Sequence, residues 1–182
     1  MSDKDLIVWI HRGNEDYLNI LLEKHIDNIF KSCYRVCLDE TQANDITQNV
    51  VIKIIKHLHK FEMKSEFSTW YYRIAYNESI TFLKKQKHHI EYDEVENYLI
   101  DENTDFYNID EKIQQKDINQ SINSLSTLDR NIILFFYYDD KKITEIAEIL
   151  DLNENTVKTR LSRAKKKLHS LLIKHENINK TI

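Results

Sequence analysis

One glycine, Gly13, and no proline occur in 182 residues, and this shortage limits the possible folds more than any motif in the chain. Turns between parallel strands and in hairpins draw heavily on both residues. A chain nearly without them is therefore predicted to be all-α, with Asn and Asp making the turns. Gly-rich nucleotide-binding loops are excluded for the same reason, because they need glycine where backbone approaches phosphate.

The length suits one average domain or two small ones, and two small helical domains are the expectation. The apolar run Leu6 to Ile10 is too short for a signal peptide or a membrane span, and no later run approaches twenty apolar residues, so a cytoplasmic protein without membrane insertion is expected. Cys33 and Cys37 stand four apart on a predicted helix and supply only two ligands. They read as small buried hydrophobes rather than a metal site or a disulfide. His57 and His59 point to different helix faces, and the eight histidines show no metal spacing. Paired carboxylates, nucleophile–base sets and metal clusters are all missing from the pattern, so neither an enzyme nor a cofactor is expected.

Charge divides the chain. Residues 1–87 carry +1, residues 88–117 carry −8 and residues 118–182 carry +3, which together make the formal charge of −4. The acidic stretch has weak periodicity and reads as a linker at 91–117, between a domain over 1–90 and a second over 118–182.

Four helices are expected in the first domain. A short one opens at Leu6 and stops at Gly13-Asn14. The second carries Leu18, Leu21, Leu22, Ile26, Ile29 and Phe30 at helical spacing and is closed by Asp39-Glu40-Thr41. The third, about 42–59, has Ile46, Val50, Ile54 and Leu58 as its inner stripe with Val51 and Ile55 beside it, while Asp45, Gln48, Asn49 and Lys53 face elsewhere. The fourth is expected to be capped by Ser65 or Ser68. It has two apolar stripes, Phe67-Trp70-Tyr71-Ile74 and Tyr72-Tyr76-Ile80-Leu83, separated by a thin polar strip of Arg73, Asn77 and Lys84. Such a helix can be a central one buried between neighbours, which the pattern favours, or a surface where unpaired bases stack beside a phosphate track.

In the second domain Ser126 and Asp129 resemble a capping box, with Leu128, Ile132, Ile133 and Phe136 as the core face that follows. Thr144 is placed to cap a helix with Ile143, Ile146, Ala147 and Leu150 inside. A further helix starting near Asn155 repeats Val157, Leu161, Ala164, Leu168 and Leu171. Two amphipathic helices joined by so short a corner, with small Ala147 where they approach, predict a helix-turn-helix. Opposite the core stripe, the last helix shows Asn155, Thr159, Ser162, Arg163 and Lys166, flanked by Lys158, Lys165 and Lys167. Short hydrogen-bonding groups come first and long cations follow. A helix that reads base edges with its first turns and meets phosphates with its later turns needs that order, so DNA binding is favoured over a merely solvated basic face.

The stretches "ANDITQNVVIKIIKHLHKF", "FSTWYYRIAYNESITFLKK" and "ITEIAEILDLNENTVKTRLSRAKKKL" resemble, in order and separation, a bacterial sigma factor of the extracytoplasmic-function group, the minimal members of the sigma-seventy family. The resemblance covers nearly the whole chain outside the linker. It implies a transcription initiation factor whose partners are core RNA polymerase (the β′ clamp helices and the β flap), promoter DNA and an anti-sigma factor. Asp45, Gln48 and Asn49 would dock on the polymerase. Phe61, Lys64, Phe67, Trp70, Arg73 and Asn77 would hold the opened minus-ten element, with an extruded base in a pocket. Asn155, Thr156, Lys158, Thr159, Arg160, Arg163 and Lys166 would engage the minus-thirty-five element as duplex.

Several positions depart from the family's usual pattern. Asn44 and Asn49 stand where acids are common, and Thr81 replaces a common Asp. Asp151 replaces the usual corner glycine, and Asn153 and Asn155 occupy places where Pro and Gly are common. Asp tolerates left-handed backbone better than most residues, so the corner is expected to survive. A polymerase-independent helix-turn-helix regulator is the alternative; it accounts for the second domain and leaves the first domain's surface unexplained.

Overall fold

The structure, a computed structural model, describes the backbone of residues 1–90 and 118–179 and the side chains of 1–86 and 118–173. The expected acidic linker at 91–117 lies outside the described residues. The chain divides into two compact units, and the described residues are helical with no strand among them.

In the N-terminal unit, α1 (Asp3–His11) begins at a capping box: Asp5 N–H donates to Ser2 Oγ (3.2 Å) and Ser2 N–H donates to Asp5 Oδ2 (3.0 Å). Gly13, at φ +89°, takes the left-handed backbone that lets the chain reverse into α2 (Asp16–Cys37). Leu38 ends α2 in left-handed backbone, its N–H on Tyr34 O at 2.8 Å. Asp39, expected to close α2, instead starts α3 (Glu40–His57), accepting the Gln42 N–H at 2.7 Å. A short carboxylate satisfies the orphan donors of a helix start, so an acid between two helices serves the one that follows.

A single 3-10 turn (Leu58–Lys60) follows α3, and after a loop comes α4 (Phe67–Ile90). Helix α4 begins at Phe67, between Ser65 and Ser68, the two serines expected to cap it, with Glu66 O accepting the Trp70 N–H. Helices α2, α3 and α4 pack against one another, and α1 lies on α2 and on the 3-10 turn. Leu6, Leu21, Ile29, Ile46, Val50, Ile54 and Tyr71 fill the core, each burial worth about 1.5–3 kcal/mol. Cys33 is buried among them, and burial pushes its thiol up to about 11, the behaviour of a small hydrophobe.

Residues 118–179 form a helical stretch α5 over 118–123, then α6 (Thr127–Tyr137), α7 (Ile143–Leu150) and α8 (Glu154–Asn179). Ser126 caps α6 as expected, accepting the Asp129 N–H at 3.2 Å. Helix α6 packs on α8. Buried positions include Ile132, Ile133, Phe135, Ile146, Ala147, Ile149, Leu150, Val157, Leu161 and Ala164. Of the predicted stripes, Leu128, Ile143, Leu168 and Leu171 are only half-buried, Phe135 rather than Phe136 is the buried ring of its pair, and Ile149 is buried without having been expected. The cap of α7 lies two residues earlier than Thr144: Lys142 is the N-cap, its N–H held by the Glu145 carboxylate at 3.0 Å.

Candidate functional site

The corner between α7 and α8 is tight because Asp151 adopts left-handed backbone (φ 54°, ψ 49°) and Leu152 N–H reaches back to Ala147 O at 2.9 Å. The expectation that Asp can stand in for glycine there holds. Two residues on, Asn153 Oδ1 accepts both the N–H and the hydroxyl of Thr156, at 2.7 and 2.9 Å. That bond pins the first turn of α8 and commits one of the predicted DNA-facing groups to the cap.

From this fixed start, Asn155, Lys158, Thr159, Arg163 and Lys166 project to solvent, and Thr156 and Arg160 are half-exposed. Six residues, Asn155, Thr156, Thr159, Arg160, Arg163 and Asp129, line one open concavity. The first five come from α8, so the structure brings most of the predicted duplex-facing set together on one surface. Lys158 instead pairs along the helix with Glu154 at 3.7 Å, an exposed pair of small worth. Asp129, known from sequence only as a capping residue, is the unexpected member. Its Oδ1 accepts from Arg160 at 3.0 Å.

The second candidate surface lies on α4 and the loop before it. Trp70 is half-exposed, Arg73 and Asn77 are exposed on the same helical face, and Lys64 is exposed in the loop beside Glu62, with which it pairs. Met63 sits in left-handed backbone (φ 54°) at the centre of that loop, a costly conformation for a long side chain. Phe61 and Phe67, expected to touch bases, are buried at 5% and 3% exposure. Their rings pack under Trp70 at centroid distances of 5.0 and 5.8 Å. The reason is the shared aromatic cluster with His25 and Tyr71, which removes more apolar surface from water than exposure would allow. The accessible ring of the set is Trp70.

On α3 the third set, Asp45, Gln48 and Asn49, is exposed on one face. Ile52 and Ile55 extend that face, 47% and 45% exposed, although the sequence pattern placed Ile55 next to the buried stripe. Among the described residues no group of three or more His, Cys, Asp or Glu side chains could hold a metal, and no helix is long and apolar enough to cross a membrane.

The stretch 21–89, which carries the α3 and α4 surfaces, matches the model of Sigma-70 region 2, and 115–168, which carries the α8 surface, matches that of Sigma-70 region 4. The chain belongs to the sigma-70 family. It is 28% identical to the ECF RNA polymerase sigma factor SigW of Bacillus subtilis, over 94% of this chain and 97% of that protein. It is 29% identical to the RNA polymerase sigma factor SigV of the same organism, over 84% and 89%. Among solved structures, the sigma factor RpoE in complex with the anti-sigma factor NepR from Bartonella quintana has the same fold, with a TM-score of 0.72 at 21% identity over 87% of this chain and 97% of that one. CnrH in complex with the cytosolic domain of CnrY gives 0.68 at 19% identity over 93% and 96%.

In this sigma factor all of the candidate residues fall inside the two matched regions, whereas α1 precedes them. Even so, α1 bears on the region 2 surface. His11 Nε2 donates to Leu58 O at 2.9 Å, at the end of α3 and just before the loop that carries Lys64. No periodicity signals that contact, because it joins residues 47 apart.

Proposed function

We propose that this sigma factor binds core RNA polymerase and directs it to a two-part promoter, with its two helical domains, 1–90 and 118–182, on separate elements. The arrangement that carries the reading is the exposed face of α8. Polar groups lead from a pinned helix start and cations follow, which suits a helix whose first turns enter a major groove and whose later turns pass phosphates. Asn155, Thr159, Arg160 and Arg163 then read the minus-thirty-five element as duplex, and Lys158 and Lys166 neutralise phosphates.

Trp70, with Arg73, Asn77 and Lys64 beside it, captures unpaired minus-ten bases. Stacking on such a ring is worth about 1–3 kcal/mol per base, enough to offset the few kcal/mol of unpairing. Phe61 and Phe67 support that ring from below. The α3 face of Asp45, Gln48 and Asn49, extended by Ile52 and Ile55, docks on the polymerase, where exposed isoleucines gain by leaving water. The protein performs no catalysis of its own, needs no cofactor and works in the cytoplasm. The solved RpoE structure described above is a complex with the anti-sigma factor NepR, which supports regulation of this chain by an anti-sigma factor too.

Run-off transcription with core polymerase on a promoter pool, with and without the protein, tests the reading. Promoter-dependent product only in its presence is the expected result. Tight operator binding by the protein alone with no such product would favour a polymerase-independent regulator.

A further inference from the structure

The concavity on α8 contains one carboxylate, Asp129, and its placement is over-determined. Asp129 lies in the first turn of α6, where its N–H is bound by Ser126 Oγ, and Ser126 Oγ donates in turn to Asp129 Oδ2 at 2.8 Å. The other oxygen, Oδ1, takes Arg160 NH1 at 3.0 Å. Both oxygens are thus held, one by the cap of α6 and one by a guanidinium of α8, across 31 residues of sequence. Arg160 keeps 40% of its side chain exposed in this pair. A guanidinium has five N–H donors in a rigid plane, and the bond to Asp129 engages NH1.

We propose, resting on the duplex-reading role of α8, that Asp129 is a positioning and specificity-determining residue for the upstream promoter element. Two physical effects follow from its position. First, a guanidinium gripped on one side has already lost the rotamer freedom that binding would otherwise cost, so its remaining donors meet a guanine edge pre-arranged. Second, the carboxylate cancels the charge of Arg160 when no base partner is present, so Arg160 adds little to attraction for arbitrary DNA, while Asp129 repels phosphates that approach without that partner. Discrimination between sites therefore rises through weaker binding to the wrong ones as well as through a better contact with the right one.

The test uses holoenzyme reconstituted from core RNA polymerase and the full chain. Binding is measured across a salt series on a promoter selected by the wild-type protein and on the same promoter with a scrambled upstream element. Asp129→Asn retains an acceptor for Ser126 and removes the charge. It should lower the ratio of affinities for the two DNAs by about five- to tenfold and steepen the salt dependence on scrambled DNA by about one phosphate equivalent. The change in the ratio should vanish in an Arg160→Ala background, where the loss of carboxylate repulsion acts equally on both DNAs. Arg160→Lys keeps the charge without the planar fork, and should reproduce the lost discrimination without steepening the salt dependence.

An unchanged ratio in Asp129→Asn, or a loss that persists undiminished in the Arg160→Ala background, overturns the proposal and leaves Asp129 a capping residue only. Those outcomes leave the initiation-factor reading standing. A wild-type holoenzyme with no upstream-element preference would remove both.

Discussion

His25 Nε2 lies 2.9 Å from Asp3 Oδ2, fastening the start of α1 to the middle of α2. Lys24 donates to the other oxygen of Asp3 at 2.6 Å. An ionised carboxylate only accepts, so Nε2 carries the hydrogen, and Nδ1 is left buried without a partner. The His25 ring meets Phe67 and Tyr71 at 5.3 Å each, so it also touches the cluster under Trp70. Burial pushes His25 below its ordinary value of 6.5, against the pull of Asp3. Burial alone would raise Asp3, but Lys24 and His25 outweigh it and hold the carboxyl below 3.8.

Stability of the N-terminal unit should therefore depend on pH with a definite sign. A histidine whose folded value is depressed contributes fully above its unfolded value, and the contribution is lost as pH falls through the folded one. Asp3 acts in the same direction at lower pH. Melting temperature should hold above about pH 6.5 and decline below it. His25→Gln, which cannot titrate, should flatten that decline in calorimetric scans. An identical slope in the variant would show that the acid sensitivity comes from elsewhere.

Trp70 and Tyr71 are neighbours in sequence with opposite expected roles. Tyr71 is 1% exposed, and Tyr71→Ala should cost about 3–5 kcal/mol of stability. Trp70→Ala should leave helicity by circular dichroism nearly unchanged while reducing open-complex formation, read by permanganate reactivity of unpaired thymines. Equal loss of helicity in both variants would return Trp70 to the core.

Asp151 holds the helix-turn-helix corner at φ 54° and is exposed. Glycine adopts that backbone without a Cβ penalty, so Asp151→Gly should be neutral or stabilising by up to about 1 kcal/mol. Asp151→Val should destabilise by more than that, since a β-branched residue fits left-handed backbone poorly. Thermal melts of the two variants decide it, and a more stable Val variant would contradict the strain argument.

Arg163 projects from α8 into the shared concavity. Arg163→Ala should weaken holoenzyme binding by about 1–3 kcal/mol on the preferred upstream element if it reads a base. A loss of similar size on every sequence, together with a shallower salt dependence, would mark it as a phosphate contact.

Cys33, with its thiol pushed up to about 11, should resist alkylation at neutral pH in the native protein and react on unfolding, because the thiolate is the nucleophile. Mass spectrometry after a short iodoacetamide pulse measures it. Rapid native labelling at Cys33 would contradict its burial.

The shortage of helix breakers, the stripe of α3, the order of groups along α8 and most of the stripes of α2 and α8 were legible in the sequence. Ile26, placed in the α2 stripe, is 37% exposed, and Leu168 and Leu171 on α8 are only half-buried. The corner at Asp151 was legible too. Helix boundaries were less so: Asp39 and Lys142, not the residues first expected, sit at helix starts, because several nearby polar groups can cap and packing selects one. Periodicity found both apolar sides of α4. It did not separate Trp70, half-exposed, from Phe67, 3% exposed, since a pattern marks an apolar face without saying what covers it.

What the sequence determined alone is everything that depends on a residue and its neighbours within a turn or two: helical class, the amphipathic faces, and the helix-turn-helix with its polar-to-basic gradient. Backbone preference and periodic burial act locally, so they can be read locally. Tertiary structure alone decided that Asp129 grips Arg160, that Asp3 grips His25, that His11 meets Leu58, and that Phe61 and Phe67 lie beneath Trp70. Those relations depend on how helices dock, and docking is set by shape and burial summed over many residues distant in the chain.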